Sequence, residues 1–210
     1  MDFANGWDTK LIDTIKGLQE STNSYKVGLL PLGLYGDEAM GSRFDIDVYQ
    51  AEGFPLCLNS VPVNTRYVPT QEIEQISFMR VGQIFFDGRF IKEVGLDGIS
   101  HYNQEQAYLG YRAFMSGWNI YQYHQNIMMH DDIDYLKQVD QIAAKQWGTV
   151  NEVQNSHRDM TMAYVYNTGP YAIENAVRTP EEYWEFNRCI DKFTELKMSL
   201  DAYLKENKTF

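Results

Sequence analysis

His101–His130, HYNQEQAYLGYRAFMSGWNIYQYHQNIMMH, is the stretch whose reading decides the fold. It divides into a short polar approach, an apolar helix with one acid near its start, a Gly-Trp turn, and an apolar strand ending on a histidine. Over 103–116 the residues Ala107, Tyr108, Tyr111, Phe114 and Met115 recur at helical spacing and share a face, and Gly117 is placed to stop the helix. Glu105 and Arg112, seven apart, sit together at the edge of that helix. Beyond Gly117-Trp118 the pieces 119–124 and 127–130 read as strands, with Asp131-Asp132 following His130.

Upstream, Trp7, Leu11, Ile12, Ile15 and Leu18 recur at three and four, which predicts a helix over 7–19 that Asp8 can cap, with no strand before it. The apolar run 25–32 (YKVGLLPL) suits a buried strand. The segment 33–68, rich in Gly, Asp and Pro, reads as irregular with strand-like pieces at 54–58 and 61–67, and a loop of that length carries specificity or covers a site. Residues 76–79 and 82–86 read as strands meeting at Gly82, where the backbone can come close to a ligand, and 89–94 as one or two helical turns.

Downstream, helices are expected over 132–147 and 149–166, broken by Gly169-Pro170. Thr179-Pro180-Glu181-Glu182 combines a hydroxyl cap, a proline at the first helical position and a glutamate at the third, and so opens a helix over 180–188. A last helix covers 191–206. Strands and helices interleave over 1–130 and helices alone fill 131–210, which makes a single α/β or α+β domain with a helical C-terminal end.

Composition narrows the function. A net charge of −11, from 29 acids against 18 bases, excludes a broad phosphate-backbone contact, so nucleic acid is not an expected partner. Tyr, Phe and Trp number 15, 11 and 4, enough for an aromatic core or for a cleft in which rings stack on sugars. Cys57 and Cys189 have no metal-ribbon or scaffold spacing, which points to a reducing, cytoplasmic setting. There is no membrane-length apolar run and no leader-like start.

Glu105 has two readings: a solvated edge residue suited to the helix dipole, or a carboxylate at a helix start that takes a proton from a hydroxyl. His130 is either a satisfied structural histidine or a metal ligand, with Asp131 and Asp132 as second ligands or as a helix cap. Asp45-Ile46-Asp47 has the spacing of a D-x-D metal motif, a pattern that solvated edges also produce. A hydrolase using Asp45, Asp47 and His130 is one rival that these residues allow. Serine-hydrolase, zincin, P-loop and dinucleotide signatures are not found.

Taken together, these pieces resemble the GT-A glycosyltransferases of the GlcNAc-transferase type, the group of the Skp1 hydroxyproline N-acetylglucosaminyltransferases. Met1-Asp2-Phe3 with Gly6-Trp7-Asp8 looks like the family's M-x-F-x-x-G-W-D segment, and 82–97 (GQIFFDGRFIKEVGLD) is similar to its G-F-x-F-x-x-G-x-F-x-x-E-V-P-x-D stretch. Glu105, Arg112 and Gly117-Trp118 reproduce the spacing of the family's acid, arginine and Gly-aromatic turn, and His130 falls where its metal-binding histidine does. Arg178-Thr179, Tyr183, Phe186 and Cys189-Ile190-Asp191 resemble its closing motif. Asn103-Gln104 replaces the family's glycine pair, and Gln106 a second acid.

The resemblance implies a partial GT-A-like mixed sheet, a UDP-sugar donor (UDP-GlcNAc first), a protein or glycan acceptor with a hydroxyl, and Mn²⁺ or Mg²⁺ as cofactor. It implies Glu105 as the catalytic acid-base group, His130 as metal ligand, and Gly82, Asn103, Gln104, Arg112 and Trp118 as substrate-binding residues. It also implies that the family's nucleotide-binding half belongs before Met1, in an upstream segment or partner chain. The alternative is a non-catalytic carbohydrate-binding or structural module that keeps part of the fold.

Overall fold

The computed structural model describes residues 2–35, 38–51, 53–66, 73–77, 84–95, 104–130 and 150–207. Its centre is a parallel pair of strands, β2 (Val27–Tyr35) and β7 (Asn119–His130). Outside β2 lie β3 (Glu38–Ala51), paired at residues 33–35, and β6 (Phe85–Phe86), paired at 28–29. Outside β7 lie β5 (Glu74–Ile76) and β1 (Asp2–Phe3), both antiparallel to it. β4 (Phe54–Arg66) completes, among the described residues, a seven-stranded mixed sheet by pairing with β3.

β2 alternates as a strand buried on both faces must. Val27 and Leu29 pack with Leu11 and Ile15 of α1 (Trp7–Thr22), whereas Leu30 packs on the other face with Leu109 and Ala113 of α3 (Gln104–Met115). Phe90 of α2 (Arg89–Glu93) joins α3 in that second layer. Three corrections to the sequence reading follow. A strand does precede α1, because Asp2 and Phe3 pair with Met129 and Met128. α1 is led by Gly6, with no side-chain cap, and Asp8 lies within its first turn. Residues 38–51, read as irregular, form a strand that pairs with 54–66, where the strand-like pieces 54–58 and 61–67 join into one strand, in a long antiparallel hairpin whose register runs from Met40↔Arg66 to Ala51↔Phe54.

The hairpin tip reaches a second core. Phe54 and Leu56 pack with Tyr108, Tyr111 and Phe114 of α3 and with Met160, Tyr164, Trp184 and Leu196 of the C-terminal helices. These are α4 (Val150–Tyr166), α5 (Pro180–Phe186) and α6 (Ile190–Glu206). Tyr49 Oη lies 3.2 Å from His157 Nδ1 and ties the other hairpin strand to α4. α3 is therefore apolar on two sides, against the sheet and against the helices, which is why its sequence carries more buried residues than one stripe needs. The helix expected over 132–147 lies outside the described residues.

The capping box at α5 is present as expected. Thr179 Oγ1 accepts from Glu182 N at 3.2 Å, and Glu182 Oε2 accepts from Thr179 N at 2.6 Å. The hydrogen bonds from Thr179 hold the Glu182 carboxyl below its ordinary value. Thr179→Ala is expected to lower stability by about 1 kcal/mol in urea denaturation, with an unchanged denaturant slope.

Candidate functional site

The candidate site is built around the turn that joins α3 to β7. Gly117, at φ 83°, takes the left-handed conformation that ends α3. Gly117 N donates to Phe114 O at 2.9 Å and Trp118 N to Ala113 O at 2.8 Å, the paired bonds of a Schellman closure. Met115 O accepts from Val177 N at 2.8 Å, Ser116 O accepts from Lys26 Nζ at 2.8 Å, and Arg178 Nη1 donates to Phe114 O at 3.2 Å. The last carbonyls of α3 are thus all satisfied, two of them by cations that also oppose the negative end of the helix dipole. A Cβ on Gly117 would stand 2.8 Å from Val177 Cγ2. Val177 is 67 % exposed and can turn aside, so the left-handed backbone dominates. Gly117→Ala is expected to cost about 1–2 kcal/mol, read as a lower Tm.

Trp118 is 1 % exposed, with Phe90 edge-on at 5.0 Å, so its ring belongs to the core and presents no face to a ligand. Its Nε1 donates to Glu93 Oε2 at 3.2 Å. Glu93 also accepts from Tyr25 Oη at 2.7 Å and pairs with Lys26 Nζ at 3.2 Å. Burial raises the Glu93 carboxyl, but the bonds from Tyr25, Lys26 and Trp118 outweigh it and leave it below its ordinary value. Beside this group Arg89 bonds Asp87 twice, at 2.8 Å each, and lies 3.7 Å over the Tyr25 ring. Those bonds lower the Asp87 carboxyl to about 2. The residues around the Gly-aromatic turn are therefore spent on holding it. The sequence reading missed Lys26 and Glu93 as parts of this latch, because the contacts join positions 90 and 25 residues apart.

Arg178 has the same character. Besides Phe114 O it reaches Asn119 Oδ1 at 2.6 Å, and its guanidinium lies 4.4 Å over the Phe114 ring. Burial pulls its pKa down. Arg112 is half-buried, and its Nη2 lies so close to Gly95 that a Cβ there would stand 2.9 Å away. Gly82 and Asn103 lie outside the described residues. For Gln104, Glu105 and His130 the backbone is described: the first two open α3, and His130 ends β7.

That backbone decides how Glu105 and His130 relate. β7 is one continuous strand and not two, but it carries surplus residues: Pro31 pairs with Tyr123, Leu32 with Asn126 and Gly33 with Met128. Its twelve residues accompany the nine of β2, so it advances about 26 Å along the sheet at about 3.3 Å per β2 residue. From Glu105 to Met115 α3 advances about 15 Å at 1.5 Å per residue. α3 packs back along the strands, with Leu109 and Ala113 against Leu30 and Ile120. His130 thus stands on the order of 10 Å beyond Glu105 along the common direction.

His130 pairs with Tyr35, so the carboxyl ends of β2 and β7 coincide there. In α/β sheets, ligands bind outside the carboxyl ends of parallel strands. Asp45 and Asp47 are elsewhere: they pair with Ser60 and Leu58 on the hairpin. Asp45 lies about 20 Å along β3 from Glu38, the residue that pairs with Tyr35. The set Asp45, Asp47 and His130 is not assembled. Among the described residues, no group of three or more His, Cys, Asp or Glu side chains gathers to hold a metal, and no helix is long and apolar enough to cross a membrane.

Fold and site together define a mixed α/β protein whose parallel strand pair ends at a histidine, with an acid in the first turn of the packed helix. No protein-family model matches the chain, and neither does any curated protein or solved structure.

Proposed function

We propose that this chain is the acceptor- and metal-bearing portion of a glycosyltransferase that moves a sugar, GlcNAc first, from a UDP-sugar to a hydroxyl of a protein or glycan. The observation that carries the reading is the placement of His130 at the joint carboxyl ends of β2 and β7, with Glu105 opening the helix packed beside them. An offset on the order of 10 Å leaves room for a diphosphate at one residue and the reacting sugar at the other.

In this reading, Glu105 takes the proton from the acceptor hydroxyl if transfer inverts. If transfer retains, the outcome the resemblance favours, Glu105 orients the acceptor and steadies developing positive charge. A divalent ion fits a site with a single imidazole when substrate phosphates supply most of its oxygens. His130 would hold Mn²⁺ or Mg²⁺, and when bound the ion offsets charge on the leaving diphosphate.

The test is a thermal-shift titration with UDP-GlcNAc and MnCl₂. At a hundredfold excess over Kd, binding adds about 2.7 kcal/mol, so Tm should rise by several degrees, only with both present, and the rise should vanish in His130→Ala. No shift with any UDP-sugar plus Mn²⁺ once the upstream nucleotide-binding half is supplied would overturn the reading. A second reading, a non-catalytic carbohydrate-binding or structural module, is favoured by the enclosure of Trp118 and Tyr183 in the core and by the structural use of Arg178. Sugar binding that needs neither UDP nor metal, with no transfer, would select it.

A further inference from the structure

We draw no further inference here: the strongest candidate, the face of the β3–β4 hairpin on which Val48 is exposed, is an unpartnered surface among the described residues, and nothing in the structure shows what covers it.

Discussion

Trp184→Ala is expected to destabilise the protein by about 3–5 kcal/mol, a fall in Tm of about 6–20 °C for a chain of this size. Trp184 is fully buried, and it tilts against Phe193 with ring centres 5.6 Å apart. It belongs to the core that joins α3, the hairpin tip and the three C-terminal helices, so the cavity left by its removal opens at their meeting point. A second cost adds to the first: the indole N–H donates to Tyr164 O at 2.9 Å inside that core, and alanine leaves this carbonyl buried without that donor. Trp184→Phe separates the two terms, because it keeps most of the volume and loses only the donor, at about 1–3 kcal/mol. Urea denaturation of both variants is the measurement. A loss under 1 kcal/mol for the alanine variant would mean that the helical core contributes little to the stability of the whole. Since domains are stable by only about 5–15 kcal/mol, the expected loss is a large fraction of the total.

Local rules explain what was legible. The α1 stripe is correct because its apolar residues face one layer: Leu11 and Ile15 are buried, and only Ile12, at 39 % exposure, lies off the stripe. The start of α5 was readable because a capping box is complete within four residues. The hairpin was not, because its pairing joins residues up to 26 positions apart. The alternation Phe44, Ile46, Val48 against Asp45 and Asp47 did carry the signal, and the D-x-D spacing is a by-product of that strand period. The apparent break in β7 is the surplus of residues opposite Pro31 and Gly33, a bulged register that no single strand reveals. The latch around Gly117 depends on Lys26, Glu93 and Arg178 coming from three other segments. Glu105 stands twelve residues before Gly117, and His130 twelve after Trp118. Helix and strand advance at different rates per residue, so the distances are unequal and the bulges reduce the difference.

Under the proposed function, where transfer inverts and Glu105 takes the acceptor proton, Glu105→Gln is expected to reduce the transfer rate by about 10²–10⁴-fold, equivalent to about 2.7–5.5 kcal/mol of barrier. Glutamine keeps the size and one acceptor oxygen but cannot take a proton, so the loss should fall on kcat and leave KM for UDP-GlcNAc within about threefold. His130→Ala should do the reverse, raising the Mn²⁺ and UDP-GlcNAc concentrations needed while leaving the chemistry of the bound complex closer to normal. The measurement is transfer to a hydroxyl acceptor followed by product mass, with each variant alone and combined. The backbone offset of Glu105 and His130, on the order of 10 Å, places them at the limit beyond which mutational effects usually add. The double variant should therefore lose the product of the two single losses. A double variant no worse than the poorer single one would show both residues acting on the same step. Full transfer by Glu105→Gln would remove the acid from the chemistry, and His130 would then be the part of the proposed site left to account for activity.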